Sequence, residues 1–350
     1  MTMVDEEIVL DAVDGALQRL TVRAERRGRG AGRIARAACR AATGGKRFRP
    51  RLVVAAFRAF DDSSPCPPAV AEIAASFELL HTAFVIHDDV IDRDIERRGR
   101  PNVSGIFRAQ ARNAGATPER AAQLGDAAAI LAGDILLHEA ARLIATAEVS
   151  EPQRRRLLDL LDEANLVSAT GELADVEHAT LPRESAPDAV LAATRDKTAI
   201  YSFSAPLQAG AVLGGAPDDA LDALALSGRH LGFAFQLVDD LVGAFGTTQQ
   251  AGREPGADLR EGKQTAVIAL ARRSDHWPAA RAAVALAGSG PVALRGAQQA
   301  VEATGARAEV AAMIDESLRA AQDRSAIAPL PVAARRMLSD IAVMIRKRIP

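Results

Sequence analysis

An all-α fold, a single large helical bundle, is what this sequence predicts, and three observations carry the prediction. Apolar residues recur at helical spacing through nearly all of the 350-residue chain. Strand-type alternation of Val, Ile and Thr is absent. Aromatic residues are only 3% of a chain that is 48% hydrophobic, so the core must be built mainly from alanine and leucine, which are strong helix formers, rather than from the large rings that suit a β-sandwich.

Taken in order, the helical pattern covers 5–20, 31–42, 51–60, 69–92, 119–146, 152–178, 187–214, 218–243, 264–287, 294–303, 306–323 and 330–348. Seven of these are marked by a proline near the start, at Pro50, Pro68, Pro118, Pro152, Pro187, Pro217 and Pro331. There the missing N–H costs little and the fixed φ suits the first turn. The other five rest on periodicity and breakers alone. Irregular loops are expected at 61–67, 93–118, 179–186 and 246–262. No Ser/Gly/Pro-rich linker of convincing length interrupts the series, so residues 1–350 read as one domain, with 1–30 as a mobile N-terminal helix and basic connection.

Bulk properties exclude several functions. A formal net charge of −2 gives no global attraction to nucleic acid or to an anionic membrane. Arg23 to Arg40 is locally basic, but interleaved glycine and alanine read as a mobile connection or solvated helix face rather than a binding patch. The two cysteines, Cys39 and Cys66, have no metal spacing and make no disulfide framework. The first residues, Met-Thr-Met-Val-Asp-Glu-Glu, lack a signal sequence's apolar core, and no uncharged apolar run reaches the roughly 18 residues that a membrane span needs. A reduced, soluble, cytoplasmic protein is the expectation.

Chemistry concentrates at His87-Asp88-Asp89-Val90-Ile91-Asp92-Arg93-Asp94-Ile95-Glu96-Arg97-Arg98-Gly99-Arg100-Pro101. The apolar helix before it, Phe77 to Ile86, puts Asp88 and Asp92 on one face, about 6 Å apart along the axis, with Asp89 turned away by roughly 100°. Two hard-oxygen ligands one turn apart suit Mg2+, which takes one or two protein carboxylates together with substrate phosphates. The arginines suit the phosphates. A second apolar helix, Gly232 to Gly243, again ends in paired aspartates, Asp239 and Asp240, and two carboxylate-bearing helices of a bundle can hold metal between them. Gly44-Gly45-Lys46-Arg47-Phe48-Arg49-Pro50 is not a P-loop, since Arg40 and Arg47 stand where Gly and Ser/Thr are required. It reads instead as a close turn presenting Lys46 and Arg49 to an anion.

Read together, these segments resemble the trans-isoprenyl diphosphate synthases, or polyprenyl synthetases. Gly44-Gly45-Lys46-x-x-Arg49, Glu78-Leu79-Leu80-His81, Asp88-Asp89-x-x-Asp92 and Arg97-Arg98-Gly99-x-Pro101 resemble that family's N-terminal half. Gly171-Glu172-x-x-Asp175, Lys197-Thr198, Phe235-Gln236-x-x-Asp239-Asp240 and Asp258 with Gly262-Lys263-x-Thr265 resemble its C-terminal half. The resemblance implies condensation of isopentenyl diphosphate with an allylic diphosphate (dimethylallyl, geranyl or farnesyl) by ionisation, carbon–carbon bond formation and proton loss. It implies three Mg2+ ions in a central cavity between the aspartate-bearing helices, which neutralise the leaving group. Asp88, Asp92 and Asp239 would be ligands, with Asp89, Asp240 and Asp175 supporting them. Arg97, Lys197, Lys263 and Arg253 would clamp the allylic diphosphate, and Lys46, Arg49, His81 and Arg98 would hold isopentenyl diphosphate. Thr198, Tyr201 and Gln236 would face the allylic cation. Asp134, in a recurrent segment of the family, is read as structural. A homodimer is implied as well.

The departures from the pattern lie in the second half. Gly243 stands where the family's second motif carries its third aspartate, Gly246-Thr247-Thr248 replaces Gly-Asp-Pro, and Ala251-Gly252-Arg253 replaces Thr-Gly-Lys. The family's product-length residues fall at Ala83 and Phe84. Phe84 lies one turn beneath Asp88 and about 40° round the helix, so with Ala83 small the implied product is C20, geranylgeranyl diphosphate. A farnesyl or longer-chain synthase, a non-catalytic modulatory subunit and a class I terpene cyclase are the alternatives.

Overall fold

Helix starts follow the proline signals. The computed structural model describes residues 3–45, 47–61, 66–181, 185–251 and 254–350; Lys46 and Arg253 lie outside the described residues. Pro68, Pro118 and Pro187 each occupy the first helical position, and Pro217 and Pro331 the N-cap. The chain divides into two compact units, Met1–Leu161 with Ala209–Gly215, and Asp162–Gln208 with Ala216–Pro350.

The first unit contains α1 (Met3–Arg26), α2 (Arg29–Ala41), α3 (Phe48–Phe60), α4 (Pro68–Ile91), the hairpin β1–β2 (Glu96–Arg97 and Arg100–Pro101), α5 (Val103–Asn113) and α6 (Pro118–Thr146). At its centre is α4, packed against α1, α3 and α6 with Ile73, Phe77, Leu79, Leu80 and Ile86 fully buried. Each such side chain contributes about 1.5–3 kcal/mol. By length and composition α4 could cross a membrane, yet 78% of its most apolar window is buried inside the protein, which is the pattern of a core helix. The basic stretch is engaged within this unit: Arg23 pairs with buried Glu139, Arg36 with Glu25, and the Arg33 guanidinium lies 4.9 Å from the Phe107 ring centre. Only Arg27 and Gly28 separate α1 from α2.

Helix α7 (Glu151–Thr180) begins in the first unit and continues into the second. There follow α8 (Pro187–Ala199), a π-helical turn over Ile200–Ser204, α9 (Ala205–Leu213), α10 (Asp218–Phe245), α11 (Thr248–Ala251), α12 (Ala257–Glu261), α13 (Ala266–Ala271), α14 (Trp277–Ala285), α15 (Pro291–Ala303), α16 (Ala306–Ala320) and α17 (Val332–Arg346). The second unit is organised on α10, which packs on α8, α13, α16 and α17 and buries Leu231, Ala234, Leu237, Val238 and Leu241.

Several boundaries differ from expectation. The span 93–118, expected to be irregular, holds the hairpin and α5, and 246–262 holds α11 and α12. The helix expected over 187–214 is interrupted by the π turn, and that over 264–287 breaks after Ala271.

Candidate active site

In the first unit the end of α4 keeps its helical geometry through Asp92, whose N–H donates to the Asp88 carbonyl at 2.8 Å. Asp88 and Asp92 therefore stand one turn apart, as the spacing requires. Asp89 turns inward and is buried, and this burial raises its pKa against the lowering effect of Arg97. The hairpin returns Arg97 to the helix end: its Nε donates to Asp89 Oδ1 at 2.8 Å and its Nη2 lies 3.4 Å from Asp88 Oδ2. This return requires a tight turn, and Arg98 and Gly99 make it with φ of 54° and 68°, the left-handed pair of a two-residue hairpin. The turn also sends Arg98 back to the glycine turn before α3, where a Cβ on Gly45 would lie 3.6 Å from Arg98 Nη1. His81 lies two turns below Asp88. Desolvation, then the charges of Arg49, Arg97, Arg98 and Arg47, hold its pKa well below the usual value. At neutral pH it offers a hydrogen bond to an anion, and the guanidinium groups supply the charge.

The second unit carries a connected polar network. The Thr198 hydroxyl donates to Gln236 Oε1 at 2.8 Å, Gln236 Nε2 donates to Asp240 Oδ1 at 3.1 Å, and Asp240 Oδ2 accepts from the Ala266 N–H at 2.9 Å. Asp240 is buried, and desolvation above all, with the charges of Asp258 and Asp239 adding, pushes its pKa up to about 7. Lys197 is held between Glu172 at 2.9 Å and Asp175 at 3.1 Å. The helices approach closely beneath that lysine: a Cβ on Gly171 would overlap the Lys197 backbone, so α7 needs glycine there. The π turn, a feature that often marks functional sites, starts two residues after Thr198 and carries half-buried Tyr201. Lys263 pairs with Glu261 at 3.7 Å.

A family model described as polyprenyl synthetase matches residues 33–302. The chain belongs to the polyprenyl synthetase family. Among similar proteins, a (2E,6E)-farnesyl diphosphate synthase of Mycobacterium tuberculosis is 35% identical over 63% of the chain and 55% of its own length. A geranylgeranyl diphosphate synthase of Methanosarcina mazei is 32% identical over 64% of the chain and 63% of its own length. The matches thus span about half to two-thirds of these curated relatives. A crystal structure of a geranylgeranyl pyrophosphate synthase from Corynebacterium glutamicum, complexed with isoprenyl diphosphate and magnesium, superposes with a TM-score of 0.88 at 30% identity, covering 98% of each chain.

Against the polyprenyl synthetase pattern, three side chains enter that the motifs left without a role. Arg47, buried and at φ 47°, pairs with buried Glu78 at 3.0 Å, and this ion pair ties the glycine turn to α4. A carboxylate inside the apolar face of α4 was the available signal, because a buried charge must be paired. Glu172 shares the hold on Lys197, as its i,i+3 spacing to Asp175 allows. Arg348 has no local signal. It comes from 109 residues away, donates to Asp239 Oδ1 at 2.5 Å, and lies 4.2 Å from the Phe235 ring centre. Asp134 on α6 lies with Oδ1 3.5 Å from His87 Nε2 on α4.

The carboxylates fit Mg2+. Among the described residues no three acidic or imidazole side chains converge on one point. What the chain offers is one or two accessible hard-oxygen donors at each helix end, the donor set of a cation that completes its shell with phosphate oxygens and water.

Proposed function

We propose that this chain is a Mg2+-dependent prenyltransferase that condenses isopentenyl diphosphate with an allylic diphosphate head to tail, with geranylgeranyl diphosphate as main product. One observation carries the reading: the site cations and carboxylates neutralise each other in pairs, Arg97 with Asp88 and Asp89, Lys197 with Glu172 and Asp175, and Arg348 with Asp239. Such pairs are what a diphosphate and its metal would exchange, the cations turning to phosphate and the carboxylates to Mg2+. Asp88 and Asp92 in the first unit, and Asp239 in the second, would hold Mg2+, which would supply positive charge against the departing diphosphate. Arg97, Lys197, Lys263 and Arg253 would orient the allylic diphosphate. Lys46, Arg49, Arg98 and neutral His81 would hold the second diphosphate. Thr198 and Gln236, already locked by Asp240, would keep their oxygens fixed against positive charge developing on the allyl group.

Product length turns on α4. Phe84 is half-buried on the face that carries Asp88, where its ring would stop a growing chain. Ala83 is fully buried, roughly 140° from Asp88 around the helix, so it sets the space beside that floor.

Exposed leucines lie seven residues apart on α6 (Leu124 and Leu131) and on α7 (Leu166 and Leu173). These stripes favour a homodimer, since such faces are commonly covered by a second copy. The deciding experiment incubates the purified chain with isopentenyl diphosphate and each allylic starter, with Mg2+ and with chelator. Mg2+-dependent C20 product is expected. Predominant C15, or C30 and longer, removes the length assignment, and a silent chain that activates a partner synthase favours a modulatory subunit.

A further inference from the structure

The formal net charge of −2 conceals an uneven distribution. Residues 19–40 hold eight arginines and one acid, Glu25, a net of +7, so the rest of the chain stands at −9. The fold gathers this charge on one surface of the first unit. Helix α2 buries Gly32, Ala35, Ala37 and Ala38. Its exposed Arg29, Arg33, Arg36 and Arg40, spaced by four, three and four residues, fall within about 60° of one another around the axis. The end of α1 closes against this stripe, where a Cβ on Gly32 would lie 3.2 Å from Glu25 Cγ. It adds exposed Arg19 and Arg26, with Val22 44% exposed between them, and Arg27 follows in the connection. Among the described residues, Arg23 and Arg36 are the members of the stretch that pair with a carboxylate. The Arg36–Glu25 pair is half exposed on both sides, so it opens at little cost.

We propose that this face docks the chain on an anionic bilayer surface, with the arginines on lipid phosphates. Opposite charge on this face and on the rest of the chain turns the one toward a negative plane and the other away from it. Arginine stems lie along the headgroup region while their guanidinium groups pair with phosphate. Val22 favours a bilayer over a nucleic-acid duplex. An apolar group gains at the headgroup–acyl boundary and gains nothing beside a row of phosphates. Residues 19–40 also hold no aromatic ring on which a base could stack. None of these residues belongs to the candidate active site, so docking does not depend on the prenyl-transfer reading.

Docking is read by co-sedimentation of the full-length chain with vesicles of equal parts phosphatidylglycerol and phosphatidylcholine, and with phosphatidylcholine alone. Wild type should sediment with the first and not the second, and should be released as salt rises from about 50 mM to about 500 mM, because screening shortens the reach of charge. R26E/R27E/R29E/R40E should bind at least roughly tenfold more weakly, and R27E/R29E, confined to the connection, about threefold. R281E/R295E/R335E/R336E makes the same charge change at exposed positions of the second unit and should bind within about twofold of wild type. Equal losses from the two fourfold variants, binding that neutral vesicles match, or binding that salt does not weaken overturns the docking face. A patch variant that turns a dimer into a monomer in light scattering marks an interface between copies and overturns it too. Tighter binding to duplex DNA than to the vesicles at the same salt overturns the bilayer as partner. A chain that docks without making prenyl product leaves docking standing, and one that makes product without docking removes docking alone.

Discussion

Asp240 shows how burial sets the chemistry of one side chain. Its carboxyl, pushed up to about 7, holds a proton in the folded state that the unfolded chain releases near pH 4. Stability from this group is therefore fully present below about pH 4 and is lost as pH rises through about 7. At about 1.4 kcal/mol per unit the upper bound is about 4 kcal/mol. In metal-free buffer, Asp240→Asn should gain on wild type by about 5 °C in melting temperature between pH 5 and pH 8; parallel pH profiles for the two proteins would refute this. Phe84 is the other residue whose neighbourhood decides an outcome. Phe84→Ser should shift the main product to longer chains by removing a ring one turn below Asp88, and chromatography of the dephosphorylated products reads the result directly. The Asp240 effect could not be taken from the motifs alone, because a pKa depends on desolvation, whereas the place of Phe84 one turn before Asp88 follows from the helical pattern itself.

At the scale of elements, the glycine turn and α4 are joined by Arg47 and Glu78, both buried. Removing one partner leaves a charge without its counter-ion, so Glu78→Gln should cost about 3 kcal/mol in denaturant unfolding. The pair R47M/E78L should lose less than either single change; additive losses would show that the two side chains do not act together. Long helices were legible in the sequence because period and proline agree over many residues, as for α4, α6 and α10. The hairpin and the short helices α11 and α12 were read as irregular because two residues per strand, or four to five per helix, are too few to establish a period. The turn at Arg98 and Gly99 also lacks the Asn-Gly pair that marks most such hairpins. The π turn after Thr198 was hidden for a different reason: its residues are ordinary helix residues, and a wider turn arises from how the segment packs.

For the whole molecule, the leucine stripes on α6 and α7 bear on assembly. Leu131→Glu with Leu173→Glu should convert a dimer to a monomer in light scattering; a wild type that is itself monomeric would remove that proposal. The sequence by itself determined the all-α class, the long helices such as α4, α6 and α10 and the ordered series of motifs, because helical period, proline positions and charged residues within apolar runs are local properties of the chain. Tertiary structure alone decided which charges meet. Arg348 reaches Asp239 across 109 residues, and Arg97 folds back on Asp88 through a turn. Pairings between distant segments are fixed by packing and the cost of burying unpaired charge, which no local pattern encodes.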